Sequence, residues 1–385
     1  MSNAYLLSNG RPDGPAIYDA LANFLTENAS SVLSIEIIRN SEDPATLEPQ
    51  LPFLKDGLDI GIPKIVLVSC FVTARKRFQD CQRQGQFLEA ENLQKLDAAT
   101  KIMLLYDPEH LTAANWRKRH LTLSHESLHV NSATSRHSNG MRLKEETSKG
   151  MTGKKENPKP LPILEQEISF LTTLVTSPLK KHAKSPTLWA HRHWLMKTYT
   201  KQVLWSYPGS KHPANLLFQE ELDILLKASD RHLANYAAFK YARLLSEELT
   251  HRFLPSPKKV FCPKGLDTYY KNAVATVQKW CFAHPRDISG WSFFEYLVLR
   301  AVNYLWLFGN MEWEDETAGL KRVEGEVEKW AQDMGLKRHS VVMGDREIPN
   351  GFEVFLKATD KRLRYLVSEI TKAKKTKGKM LYLPD

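Results

Sequence analysis

Lys184-Ser185-Pro186-Thr187-Leu188-Trp189-Ala190-His191-Arg192-His193-Trp194-Leu195 is the stretch whose reading decides the fold. It gathers a lysine, two histidines, an arginine and two tryptophans, as a catalytic segment would. Yet it is one copy of a pattern that recurs, more worn, three more times along the chain. Repetition at a fixed period points to stacked helical units, whose function lies in what the stack holds.

Setting Trp189, Phe239 and Trp291 in register exposes the period. Twenty-one residues upstream stand Ile168, Phe218 and Tyr270; seventeen upstream, Thr172, Leu222 and Val274; fourteen upstream, Val175, Leu225 and Val277. The four-then-three spacing is one stripe of a helix. Each unit is therefore expected to hold a first helix with an apolar face, a turn, and a second helix carrying the aromatic. The turns contain Pro186 in one unit and Pro285-Arg286-Asp287 in another. A single hairpin of this kind cannot bury its apolar faces alone, so neighbours must stack.

An earlier, degenerate copy lies at Asp107-Pro108-Glu109-His110-Leu111-Thr112-Ala113-Ala114-Asn115-Trp116-Arg117. Two registers are open. Matching Trp116 to Trp189 misplaces Pro108. Matching on Pro108, as Pro285 matches Trp291, sets Ala114 at the aromatic position and Arg117 at the Arg192 position. The second is preferred because it also aligns the turn. A bulky aromatic at a fixed point fills the wedge between hairpins. Arg192, on a neighbouring part of the same face, is placed to cap carbonyls or pair with an acidic residue.

The motif Lys-Ser-Pro-x-x-Trp-x-His-Arg-x-Trp, with Asn235-Tyr236-Ala237-Ala238-Phe239 in the next unit, resembles the repeat of protein prenyltransferase α subunits. Proline at Pro186 resembles the eukaryotic α-subunit-repeat-containing branch of that family. So do Asp287-Ile288-Ser289-Gly290-Trp291 and the run from Thr112 to Arg117. The resemblance spans roughly residues 88–310. It implies an all-α, right-handed α–α superhelix of hairpins that pairs with a separate β subunit. In the family, zinc and most of the isoprenoid diphosphate site belong to that β subunit, and the protein substrate carries a C-terminal cysteine. Lys184 matches the family lysine that stabilises the diphosphate leaving group. Asn235 and Tyr236 match the family's Asn-Tyr pair, and Trp189, His191, Arg192 and Trp194 match the motif's packing positions. The sequence departs from the pattern where Phe239 replaces Trp, Tyr241-Ala242 stands for His-Arg, and Phe293-Phe294 fills the same place in the last unit.

The functional expectation is the α-type subunit of a cytoplasmic protein prenyltransferase, geranylgeranyl transfer being favoured, inactive without its β subunit. The alternative is a non-catalytic helical scaffold for protein–protein interaction. No cofactor or metal is expected on this chain. His191 and His193, two apart on a helix, point in different directions and cannot easily share a metal.

The remaining composition bounds the reading. With 42% hydrophobic and 25% charged residues, wholesale disorder is excluded. The net charge of +10 comes without a Lys/Arg stripe interleaved with aromatics on one helix, so nucleic acid is not an expected partner. Four cysteines, Cys70, Cys81, Cys262 and Cys281, form no CxxC pair and read as reduced, in an intracellular setting. The most apolar run, Ile65 to Val72, is too short for a bilayer.

Residues 1–62 read as a mixed extension, a possible cap, with a short helix over 13–27 and a strand or helix end at Ser34–Ile38. First helices and the degenerate repeat follow at 63–121. Residues 122–160, rich in Ser, Thr, Gly and Lys, read as a disordered insertion. Repeats two to four occupy 161–310, C-terminal helices 311–371 with Val323, Val327 and Trp330 at helical spacing, and a basic tail 372–385.

Overall fold

The computed structural model describes residues 13–38, 52–84, 90–137, 162–204, 213–253 and 264–308. Helices make up 79% of the described residues, and their sheet has only three strands, so the class is all-α. The chain divides into two compact units. One is Met1–Ser210 with Lys227–Tyr241, and the other is Lys211–Leu226 with Ala242–Asp385.

The first unit opens with helix α1 (Gly14–Glu27), capped by the Asp13 carboxylate and started by Pro15. Its buried Ile17, Leu21, Phe24 and Leu25 form one stripe. Strand β1 (Ser34–Ile38) pairs in parallel with β3 (Asp59–Pro63), and β2 (Leu54–Asp56) pairs antiparallel with β3, giving the order β1-β3-β2. The β2–β3 turn is two residues long. Gly57 takes its first central position at φ 58°, where a side chain would be strained. Ile35, Ile60 and Ile62 are buried beneath the sheet. The isoleucine-rich run Ile35-Glu36-Ile37-Ile38 thus resolves as strand, the form in which alternate side chains share one face.

Helix α2 (Lys64–Arg83) starts directly after Pro63 and buries Val66, Leu67, Cys70, Ala74 and Phe78. It packs on α1 and on α3 (Ala90–Tyr106). Helix α4 (Leu111–His137) returns along α3. The next hairpin is α5 (Pro162–Val175), a single turn α6 (Lys180–Ala183), α7 (Pro186–Thr198) and the short α8 (Thr200–Leu204). Helix α7 packs on both α4 and α5, so the second hairpin stacks on the first. The sheet is anchored on α5: the Leu33 N–H donates to Thr173 Oγ1 at 2.9 Å and Ser169 Oγ to the Ser30 carbonyl at 3.2 Å. The N-terminal segment is therefore part of this unit's core.

The unit boundaries fall inside α9 (Pro213–Arg231) and α10 (Tyr236–Phe253). Within the second unit, α11 (Lys264–Ala283) packs on α12 (Ile288–Phe308). Phe218 of α9 meets Tyr269 of α11 with ring centroids 4.7 Å apart. Arg300 of α12 holds Glu247 of α10 at 2.9 Å. Gly290 lets α12 approach α11 closely, since a Cβ there would lie 2.3 Å from the Trp280 ring.

One boundary read from composition shifts. Helix α4 runs to His137, well past residue 122, where a disordered insertion was expected to begin. The segment is rich in Ser and Thr, yet no glycine or proline interrupts it before Gly140. The rest of that insertion, residues 138–160, lies outside the described residues, as do the C-terminal helices expected at 311–371 and the basic tail. Among the described residues, no helix is long and apolar enough to cross a membrane.

Candidate functional site

The second helices of all four hairpins, α4, α7, α10 and α12, begin in the same way. Their N-caps are His110, Ser185, Asn235 and Asp287, each four residues before the aligned position. Each cap carbonyl accepts the N–H of the aligned residue, Ala114, Trp189, Phe239 or Trp291, at 3.2 Å. Each cap side chain accepts the N–H one residue earlier: His110 Nδ1 from Ala113 at 3.4 Å, Ser185 Oγ from Leu188 at 3.1 Å, Asn235 Oδ1 from Ala238 at 3.3 Å, and Asp287 Oδ1 from Gly290 at 3.1 Å. These caps satisfy donors that a helix start leaves open. The register in which they coincide sets Ala114, not Trp116, beside Trp189.

Within the first unit the caps also join successive hairpins. The carbonyl six residues before the aligned position is the acceptor each time. Ser185 Oγ lies 3.2 Å from the Pro108 carbonyl and shares its one proton between that oxygen and the Glu109 carboxylate. Thr187 donates to the other Glu109 oxygen. One hairpin later, Asn235 Nδ2 donates to the Ala183 carbonyl at 2.8 Å. That carbonyl also accepts the Trp189 indole N–H at 2.8 Å, so both its lone pairs are used. In the second unit, the Trp291 indole donates in the same way to the Pro285 carbonyl at 3.1 Å.

Lys184 sits at this joint as the C-cap of α6, one residue before the Ser185 N-cap. It is half-buried, and its Nζ donates to the Leu233 carbonyl of the next turn. The surrounding edge is cationic. Lys180 and Lys181 are exposed on α6. Arg231 donates to the Thr176 carbonyl, and His232 Nε2 lies 3.0 Å from the Pro178 carbonyl. Tyr236 is 63% exposed beside them, while Asn235 is buried. Backbone carbonyls hold Lys184 and Arg231 in place, and an ammonium with three N–H donors keeps two after one carbonyl is satisfied.

Behind the turns lies a largely buried ionic cluster, with Asp97 at its partly exposed edge. Arg117 pairs in bidentate fashion with Glu167 of α5, its Nε at 3.0 Å from Oε1 and its Nη2 on Oε2. Its Nη1 reaches Thr100 Oγ1 at 2.9 Å, the Asp97 carbonyl at 3.1 Å and the Asp97 carboxylate at 2.9 Å. Lys101 closes the group at 2.8 Å from Asp97. Two cations and two anions cancel, which is the condition for burying them together. Burial raises the Asp97 carboxyl, but Arg117 and Lys101 outweigh it and hold the group down at about 2. Glu167 is likewise held below the usual range by Arg117, against the effect of its burial.

His191 faces this cluster from α7. It is buried, and its Nε2 lies 3.4 Å from Glu167 Oε1 without hydrogen-bond geometry. Burial pushes it down to about 4, with Arg117 and Lys118 adding to that and Glu167 opposing. A protonated His191 would give the cluster a net positive charge, so the ring is neutral at pH 7.

The remaining motif residues are packing elements. Trp189 and Phe239 are buried, as are Ala114, Trp291 and Pro108. Arg192 bonds inside its own hairpin, to Thr172 Oγ1 at 2.9 Å and the Ile168 carbonyl at 3.5 Å. Tyr241, at the departure from His-Arg, packs its ring 5.2 Å from Trp189. Half-buried Trp194 stands between Tyr199 and Lys118.

Two features were not singled out from sequence. Glu167, the buried partner of Arg117, falls beside the apolar stripe of α5 and carries no motif of its own. A histidine seven residues before the aligned position recurs as His182, His232 and His284. Each ring nitrogen approaches a carbonyl: His182 to Leu105 at 2.8 Å, His232 to Pro178 at 3.0 Å, and His284 to Trp280 at 3.0 Å. A carbonyl only accepts, so that nitrogen carries the proton. Aligning the turns rather than the helix faces would have exposed this row.

Comparison with protein-family models and with curated proteins finds no match for this chain.

Proposed function

We propose that this chain is the α-type subunit of a heterodimeric protein prenyltransferase, a right-handed superhelix of helical hairpins that works only beside a β subunit. The observation that carries the reading is the repeated turn joint, with Lys184 at its solvent edge. The same cap, carbonyl and indole contacts recur in the hairpins, as they must in a stack built from one repeated unit. The motif that resembles the prenyltransferase α-subunit repeat falls on these turns.

In this reading Lys184 Nζ serves the leaving group. Carbon–oxygen cleavage leaves negative charge on the isoprenoid diphosphate, and a preplaced ammonium lowers the barrier by meeting that charge. The Leu233 carbonyl orients Nζ, and its two other donors remain for phosphate oxygens. Zinc on the β subunit would supply a cysteine thiolate of the protein substrate as nucleophile. Tyr236 and the cations of the turn edge would line the contact with the β subunit.

One observation favours a second reading, a non-catalytic scaffold. Lys184 and Arg231 on the turn edge each tie a backbone carbonyl, and the His232 ring beside them does the same, as they would if their only task were to hold the turns. Co-expression with prenyltransferase β subunits separates the two. The purified complex should transfer a prenyl group to a cysteine peptide in a zinc-dependent manner. Lys184→Ala should lower kcat by about tenfold to a hundredfold while the complex still assembles. Unchanged turnover removes Lys184 from the site, and no transfer by any complex leaves the scaffold.

A further inference from the structure

Helix α2 has buried one face against α1 and α3, yet its outer face is not polar. Ile65, Val68 and Val72 are 47%, 36% and 61% exposed. They stand at i, i+3 and i+7, one stripe of the helix. Beside them Phe71 stacks on Tyr106 with centroids 4.2 Å apart. Exposed Leu111 follows His110, whose ring lies 6.4 Å from Phe71, so the apolar patch widens onto the α3–α4 turn. Toward the C-terminus the same face becomes cationic, with Arg75, Lys76 and Arg83 exposed. Among the described residues neither Arg75 nor Lys76 has an acidic partner, and Arg83 only approaches Asp80 at 3.9 Å.

We propose that this face of α2 docks an amphipathic acidic helix of a protein partner. Its apolar side chains would pack on Ile65, Val68 and Val72, and its Asp or Glu residues, one to two turns further on, would meet Arg75, Lys76 and Arg83. The face from Ile65 to Arg83 is about 27 Å long, which about 18 helical residues match. Ridge-into-groove packing on an i, i+3, i+7 stripe supplies the affinity, and the cationic half sets the direction of the partner helix.

Charge selects this occupant over the others. A second copy of the chain fits poorly: antiparallel pairing of α2 with itself sets the apolar half against the cationic half, and parallel pairing sets cation on cation. The net charge of +10 adds to that repulsion. An anionic bilayer would answer the charge. The stripe itself, however, consists of three β-branched side chains, and Phe71 beside it is half-buried against Tyr106, which leaves Leu111 as the exposed Leu of the kind that anchors an interfacial helix. This docking face does not rest on the prenyltransferase reading.

The test uses the full chain and fluorescein-labelled peptides followed by anisotropy. One helical peptide carries Leu at i, i+3 and i+7 in one half and Glu in the other; its counterpart carries Lys in place of Glu. Vesicles of phosphatidylserine and phosphatidylcholine form the membrane arm, and sedimentation reports self-association. The Glu peptide is expected to bind saturably. Val72→Asp, and Arg75→Glu with Lys76→Glu, should each weaken it by at least about tenfold, with circular dichroism unchanged. The doubly reversed chain should regain binding with the Lys peptide. The proposal is overturned if the Glu peptide binds neither form, or binds the variants equally. It is also overturned if the vesicles bind and the peptide does not, or if α2 mediates a dimer that Val72→Asp dissociates.

Discussion

At the scale of single residues, the Arg117–Glu167 pair carries the most weight. Both side chains are buried, and Arg117 also satisfies Thr100 and Asp97. Arg117→Ala strands Glu167 without its counter-charge and should destabilise the fold by about 3–5 kcal/mol, read from urea unfolding. His191 adds a pH dependence. Its folded value of about 4 lies below the ordinary 6.5, so between those values the unfolded chain binds a proton that the folded chain refuses. Stability should therefore be complete above pH 6.5, fall as pH drops toward 4, and lose on the order of 3 kcal/mol in that window. The contribution of Asp97, held at about 2, is lost only at lower pH. His191→Gln should flatten the unfolding midpoint between pH 6.5 and 4; an unchanged slope would assign it to other groups. Arg117 was legible in the sequence because it shares the Arg192 register. Glu167 was not, because a buried carboxylate is recognisable only once its partner arrives from another helix.

At the scale of elements, the hairpin joint makes a separable prediction. Asn235 caps α10 with its oxygen and joins the previous hairpin with its nitrogen. Asn235→Asp keeps an acceptor for the cap but loses the donor and turns a carboxylate toward the Ala183 carbonyl. It should cost at least about 1 kcal/mol even though Asp is as good a cap as Asn. No loss in thermal or urea unfolding would show that the cap alone matters. The first helices of the hairpins were readable from the stripes such as Phe218, Leu222 and Leu225, all buried, because a 3.6-residue period needs only one chain segment to be seen. The β2–β3 hairpin was not readable. Strand β2 is three exposed residues, too short for alternation to register, and the prolines around it suggested only breaks. The extension of α4 was hidden by its Ser- and Thr-rich composition, which resembles that of a loop.

At the scale of the whole molecule, the proposed function depends on a partner chain. The turn edge supplies Lys184 and Arg231, each tied to a backbone carbonyl, cations of the kind that stabilise an anion. On the prenyltransferase reading, a β subunit completes the chemistry. The most direct measurement is native mass spectrometry of the tagged full-length chain co-expressed with the prenyltransferase β subunits of its own cell. The account predicts a one-to-one heterodimer that retains zinc. Recovery of this chain without any β subunit, under conditions where it is folded by circular dichroism, would contradict it.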